Sequence, residues 1–269
     1  MSDTRWDPAQ YLRYQDERTR PLIDLLARIP AGLRPRRILD LGCGPGNSTA
    51  PLRHRWPDAH ITGLDNSPRM LAEARAAHAG PNPGGTGSTD YAEADARDYD
   101  PAPEQPDLIV SNALLQWVPD HIDVLDDWLR ALRPGGVLAF QVPGNFDAPS
   151  HTLLAELRTS PRWHDLVGTG ARRDAAVHQP GDYLALLAAH GCTADVWETT
   201  YHQLLPGTDP VLEWVKGTAL RPVLSVLGPE DRDLFLRQYR DLLRRAYPTG
   251  PYGTVFPFRR IFAVARRPA

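Results

Sequence analysis

Three carboxylates, each in or just after a short apolar run, are the residues of this chain best placed to hold a polar ligand. Asp40 sits in Ile38-Leu-Asp-Leu41, directly before Gly42, Gly44 and Gly46. Its charge would repel a phosphate but attract an ammonium group. Asp65 follows Ile61-Thr-Gly-Leu64, about twenty residues beyond the glycine turn, where its two acceptor oxygens suit a pair of ribose hydroxyls. It is also placed to cap the helix that Pro68 opens, although Asn66 or Ser67 serves equally well there. Asp95 follows Tyr91-Ala-Glu-Ala94 and on its own reads equally as a ligand contact or a solvated loop acid. No His, Cys, Asp or Glu cluster has metal-ligand spacing, so no metal is expected.

The elements around these residues must bring them together. Ile38, Leu39 and Leu41, bounded by charge and glycine, predict a buried parallel strand. The three glycines allow backbone conformations that a Cβ forbids, and Ser48-Thr49 starts a helix whose free N–H groups face the turn. Strand, glycine turn and helix form a nucleotide-binding geometry, although the glycine pattern alone is weak evidence. The spacing Gly42-x-Gly44-x-Gly46 departs from the dinucleotide fingerprint, with Asn47 where a third glycine would fall. Further strands are expected at Ile61–Leu64, Tyr91–Ala94, Asp107–Ser111 and Val137–Val142, separated by helices at Arg69–His78 and Ile122–Leu132. The segment Ala79–Thr89 is expected to be a loop. An amphipathic helix carrying Leu22, Leu25, Leu26 and Ile29 precedes the first strand. This alternation implies an α/β doubly wound, mostly parallel sheet. Beyond Pro143, helices are expected at Thr152–Arg158, Gly181–His190, Pro210–Thr218 and Glu230–Ala246, with late strands at Val196–Gln203 and Arg260–Ala265. The helices of roughly 205–257 have no place in a minimal sheet and are expected to form a cap over the carboxyl ends of the strands. The expected organisation is one domain: an N-terminal helical segment at 1–32, a core at 33–145, and a cap with the last two strands at 146–269.

Composition narrows the partners. The 269 residues are 42% hydrophobic and 23% charged with net charge −3, an ordinary globular balance. The arginines are scattered, which argues against a nucleic-acid face. Two cysteines are too few for a disulfide framework. With no basic-then-apolar leader pattern and no apolar run approaching the length of a membrane span, a cytoplasmic protein is expected.

The turn Asp40-Leu-Gly-Cys-Gly-Pro-Gly46 resembles motif I of the class I S-adenosylmethionine-dependent methyltransferases. Asp95-Ala96 resembles the motif that holds the adenine amino group. Ser111-Asn-Ala-Leu-Leu-Gln-Trp-Val118 resembles motif IV, with Asn112 beside the methionine portion, and Leu132-Arg-Pro-Gly-Gly136 resembles the turn before the fifth strand. The resemblance implies a Rossmann-like, seven-stranded sheet and S-adenosylmethionine as cofactor, bound through Asp40, Gly42, Gly44, Asp65, Asn66, Asp95, Ala96 and Asn112. A narrower resemblance spans nearly the whole chain. Trp6-Asp-Pro with Tyr11, Arg18-Thr-Arg-Pro21, Val142-Pro-Gly-Asn-Phe146, Asp195-Val-Trp-Glu-Thr-Thr-Tyr-His202, Val211-Leu-Glu-Trp-Val-Lys-Gly-Thr218 and Phe256-Pro-Phe-Arg-Arg-Ile-Phe262 are similar to the trans-aconitate methyltransferase family. That family implies methyl transfer from S-adenosylmethionine to a carboxylate of trans-aconitate.

A carboxylate is already an anion at neutral pH and needs no general base. What such a reaction needs is positioning and a cation for the remaining carboxylates, for which arginine is suited. Arg221, before Pro222, is expected in an extended link. Of Arg259 and Arg260, strand alternation turns one towards the site, and Arg260 is favoured. Trp117 would wall the pocket or pack in the core. Tyr11, Tyr201 and Trp214 would donate to carboxylates or serve as core. His151, after Pro149-Ser150, would be a ligand contact or a helix-start residue, and the base if the acceptor were a protonated oxygen or nitrogen in another small molecule. A partner-dependent cofactor-binding protein and a nicotinamide oxidoreductase are the other classes considered. The expected partner is a small polycarboxylate, without nucleic acid or membrane, and the expected state a monomer or weak dimer.

Overall fold

The computed structural model describes the backbone of residues 15–167 and 177–269, with side chains from Thr19 onward. Tyr11, Trp6 and their neighbours lie outside the described residues. The described chain divides into two compact units: a larger one of 19–143, 177–199 and 260–269, and a smaller one of 15–18, 144–167 and 200–259.

The larger unit is built on parallel strands β1 (Arg37–Leu41), β2 (His60–Asp65), β4 (Ser88–Glu93), β5 (Leu108–Asn112) and β6 (Val137–Pro143). β1 pairs with β2 on one side and β5 on the other, with Leu39 opposite both Thr62 and Ile109. Burial is continuous along β1 after Arg37 and along β6 up to Pro143. Such near-continuous apolar runs belong to strands covered on both faces. The helices between them are α2 (Thr49–Arg55), α3 (Pro68–His78) and α4 (His121–Ala131), preceded by α1 (Gln15–Arg28). Pro68 starts α3, and Ser67 caps it by accepting from Met70 N at 3.4 Å, which leaves Asp65 free of that duty. The core of this unit includes Trp128, Phe140 and Tyr183, all fully buried; Tyr183 lies on α7 (Pro180–Ala189).

Four more strands complete the sheet: β3 (Gly80–Pro81), β7 (Thr193–Leu205), β8 (Thr249–Gly250) and β9 (Gly253–Arg266). It runs in the order β3-β4-β2-β1-β5-β6-β9-β7 with β8 against β9, so among the described residues it counts nine strands rather than the expected seven. The two extra are two-residue pieces, β3 (Gly80–Pro81) and β8 (Thr249–Gly250). β3 falls where a plain loop was expected. Buried Asn82 closes a hairpin there, donating to Ala59 O at 2.8 Å and accepting from Thr89 Oγ1 at 2.7 Å, so side-chain bonds supply what the Gly/Pro composition does not. The late strands are β7 (Thr193–Leu205) and β9 (Gly253–Arg266). β9 lies antiparallel to β6, with Arg260 opposite Pro143 and Phe262 opposite Gln141. It starts at Gly253, seven residues before the expected Arg260, because Thr254, Phe256 and Phe258 alternate inward at the strand period.

The smaller unit holds α5 (Pro149–Thr159), α6 (His164–Val167), α8 (Pro210–Lys216), α9 (Arg221–Val226) and α10 (Pro229–Ala246). Its core gathers Trp163, Trp214, Phe235, Tyr239, Phe256 and Phe258. Arg221 is not in an extended link: it is the first residue of α9. Pro222 does not exclude helix here: it sits in the first turn, where its fixed φ and missing N–H cost nothing.

Candidate functional site

The glycine turn is shaped by backbone conformation and by one neighbour. Gly42 has φ of +74° and an added Cβ would lie 2.8 Å from Leu114 Cβ, whereas at Gly44, with φ of +55°, a Cβ would point into open space. Gly42 N and Cys43 N both donate to Leu64 O, at 2.8 and 3.0 Å, which ties the turn to the end of β2. Asp65 completes the tie: Oδ2 accepts from Gly44 N at 3.0 Å and Oδ1 from Ser67 N at 2.9 Å.

Beside this turn lies a pocket of about 220 Å³. Its polar residues include Asp65, Asn66 and Asp95, and its apolar wall includes Leu64, Leu114 and Val118. Ala96 and Gly42 also line it. Trp117, 51% exposed, closes one side at the end of the 3-10 turn Leu115–Trp117, so it is wall rather than core. Asn66 Nδ2 donates to Asp95 Oδ2 at 3.3 Å. Arg97 grips Asp95 through Nε at 2.9 Å and Nη2 at 2.6 Å, and these bonds hold the Asp95 carboxyl well below the usual carboxylate range. Sequence reasoning passed over Arg97, whose signal was its place two residues after Asp95.

Asp40 does not line this pocket. Its carboxylate is fully buried and accepts from Ser48 Oγ at 2.9 and 2.8 Å and from Thr49 Oγ1 at 2.6 Å. It fastens the start of α2 beneath the turn instead of facing an ammonium group. Burial pushes this carboxyl up to about 6 from 3.8, against the opposite pull of the Thr49 and Ser48 hydroxyls. The folded protein therefore binds this proton more tightly than the unfolded chain. Its contribution to stability is greatest below the unfolded value and declines as pH rises from about 4 to about 6, by about 3 kcal/mol in all. Asp40→Asn keeps an acceptor for the hydroxyls without the charge. Its unfolding free energy, measured with denaturant, should gain about 3 kcal/mol on the wild type between about pH 4 and pH 7; a constant offset across that range would contradict the assignment.

At the carboxyl ends of β5 and β6, Asn112 Oδ1 accepts from Gln141 Nε2 and Gln141 Oε1 accepts from Arg260 Nη1 at 3.2 Å. Arg260 is 8% exposed and Gln141 1%. Ala113, just after Asn112, has φ of +59°, an unfavourable conformation for a residue with a Cβ. It is held there by Ala113 N donating to Gln141 O at 2.9 Å.

In the smaller unit, Arg259 Nη1 donates to Gly144 O at 3.2 Å. Arg221 is exposed and Tyr201 buried. Trp214 is 3% exposed and its ring meets Phe256 and Phe258 at 5.7 and 5.6 Å, so its aromatic body serves the core. His151 lies with its ring 5.3 Å from Phe146 and Nδ1 3.2 Å from Ser150 Oγ; burial lowers its pKa, which keeps it neutral near pH 7. The structure therefore groups Gly42, Asp65, Asn66, Asp95, Ala96 and Trp117 around one pocket, and Asn112 with Arg260 through Gln141. Among the described residues no three or more His, Cys, Asp or Glu side chains are arranged to hold a metal.

A methyltransferase-domain family model matches residues 38–136, the stretch carrying the turn, the pocket and Asn112. Over 266 residues the chain is 62% identical to the trans-aconitate 2-methyltransferase of Streptomyces avermitilis, spanning 98% of this chain and 97% of that one. The chain belongs to the trans-aconitate 2-methyltransferase family. The member from Rhodococcus jostii is 48% identical over 97% of this chain and 99% of its own. Among solved structures, a Bacillus halodurans protein described as a putative methyltransferase aligns with TM-score 0.54 and 16% identity, over 92% of this chain and 99% of that one. The phosphoethanolamine N-methyltransferase 2 of Haemonchus contortus, solved with S-adenosyl-L-methionine, aligns with TM-score 0.53 and 18% identity, over 93% of this chain and 53% of that one. At such identities these structures support the fold alone, which is that of the class I methyltransferases. Family members of nearly equal length match this chain from end to end, including the stretches beyond residue 136 that the general methyltransferase model does not reach.

Proposed function

We propose that this protein transfers the methyl group of S-adenosylmethionine to a carboxylate of trans-aconitate, giving a monomethyl ester and S-adenosylhomocysteine. The observation that carries this reading is the 62% identity over essentially the full length of a trans-aconitate 2-methyltransferase. The residues fit the cofactor. A Cβ is missing at Gly44 where it would project into open space, two carboxylates line a pocket that is partly apolar, and among the described residues the one basic side chain lining it, Arg97, is already engaged by Asp95. Asp65 would accept from the ribose hydroxyls, Asp95 and the Ala96 N–H would meet the adenine edge, and Asn112 would face the methionine portion. When bound, the cofactor supplies a methyl group activated by its sulfonium.

The protein's own part is then positioning and charge. A substrate carboxylate is ionised at neutral pH, so no side chain has to remove a proton. Holding an acceptor oxygen in line can supply up to about 7–11 kcal/mol of such a barrier. Arg260 would neutralise a non-reacting carboxylate. The reading takes the enzyme to be cytoplasmic and a monomer or weak dimer; among the described residues no helix is long and apolar enough to cross a membrane. S-adenosylhomocysteine should raise the melting temperature and NAD should not, and trans-aconitate should lead a panel of organic acids and phenols in S-adenosylhomocysteine release. Cofactor binding with another acid leading the panel would keep the methyltransferase and replace its substrate.

A further inference from the structure

Asp65 and Asp95 both line the pocket beside the glycine turn, and their carboxylates are occupied to different degrees. A carboxylate offers about four acceptor sites, two on each oxygen. Asp65 uses one on each oxygen, for Gly44 N at 3.0 Å and Ser67 N at 2.9 Å. The sites that remain match a pair of ribose hydroxyls. Asp95 uses all of its sites. Oδ1 accepts from Arg97 N at 3.0 Å and Arg97 Nε at 2.9 Å, and Oδ2 accepts from Arg97 Nη2 at 2.6 Å and Asn66 Nδ2 at 3.3 Å.

Asp95 can therefore accept from a further donor, such as the amino group of adenine, only when one of these partners leaves. Arg97 N is part of the backbone turn that follows Asp95 and stays. Asn66 supplies one bond, whereas the Arg97 guanidinium supplies one to each oxygen, so its departure opens both. The guanidinium is also the donor that moves at least cost. The Arg97 side chain is 58% exposed, so its N–H groups return to water as they leave, and exposed ion pairs contribute little. Arg97 lines the same pocket, so the competition takes place inside it.

Resting on the reading that Asp95 meets the adenine edge, we propose that Arg97 is a latch on that subsite: its guanidinium satisfies Asp95 until the adenine amino group displaces it. Arg97 acts through Asp95 and is a positioning residue. Calorimetric titration of the full chain with S-adenosylhomocysteine, and with its analogue carrying hydrogen in place of the adenine amino group, tests this. Arg97→Met should tighten S-adenosylhomocysteine about fivefold and leave the analogue, which displaces nothing, within about twofold of wild type. An unchanged or weakened affinity for S-adenosylhomocysteine, or an equal gain for both ligands, would overturn the latch. So would a stronger preference for the amino group in Asn66→Ala with none in Arg97→Met, because Asn66 would then be the donor that gives way. Adding Asp95→Ala to Arg97→Met should abolish the preference. A preference that survives in the double variant removes the adenine role of Asp95 and the latch with it; one that is lost there, but is no greater in Arg97→Met than in wild type, removes the latch alone.

Discussion

Asp65→Ala is expected to weaken S-adenosylhomocysteine binding about 100-fold or more. A hydrogen bond to a charged group contributes about 1.5–3 kcal/mol, and two ribose hydroxyls meeting one carboxylate together account for a loss of that size. The structure adds a second cost. Asp65 Oδ2 accepts from Gly44 N and Oδ1 from Ser67 N, so its removal also releases the glycine turn from the end of β2. Asp65→Asn, which keeps one acceptor oxygen, should lose less. Calorimetric titration separates these outcomes, and an affinity within threefold of wild type in the alanine variant would remove Asp65 from the cofactor site.

Arg260→Ala is expected to lower kcat/KM for trans-aconitate about 100-fold to 1,000-fold while S-adenosylhomocysteine affinity changes far less. Removing one partner of a desolvated charge pair costs about 2–5 kcal/mol, much of it from the charge left unpaired. Arg260 is buried to 8% exposure and donates to Gln141 Oε1, so the guanidinium is held before any ligand arrives. Arg260→Lys should rescue little, because a point charge on a flexible stem does not reproduce the planar donor fork. Arg221→Ala and Arg259→Ala are the controls. Arg221 is an exposed residue at the start of α9, and Arg259 is turned to the Gly144 carbonyl. Should either give the larger loss in kcat/KM, the carboxylate receptor has been assigned to the wrong arginine.

How far the chain could be read in advance depended on whether the determinant was local. The glycine turn, the offset of Asp65 and the Ser67-Pro68 helix start are local, and the structure follows them. The continuous apolar runs of β1 and β6 announced strands covered on both faces. Asp40 was misread for a reason that spacing cannot supply: whether its carboxylate turns to the ligand or to Ser48 and Thr49 depends on the side of the turn to which it points. Arg221 was misread because a residue before proline is disfavoured in helix on average, yet here it leads into a first helical turn. Gln141 and its two partners come from three strands that are distant in sequence and adjacent only once the sheet is assembled. One signal was present, a polar residue inside a buried strand, which is uncommon without a partner.

The central claim is that a carboxylate of trans-aconitate accepts the methyl group. Mass spectrometry of the product formed from trans-aconitate and methyl-labelled S-adenosylmethionine tests it most directly. The account predicts a product in which one labelled methyl replaces one proton, formed in step with S-adenosylhomocysteine and lost on alkaline hydrolysis as esters are. Cofactor bound with no label transferred to trans-aconitate, or label retained through alkaline hydrolysis, would contradict it.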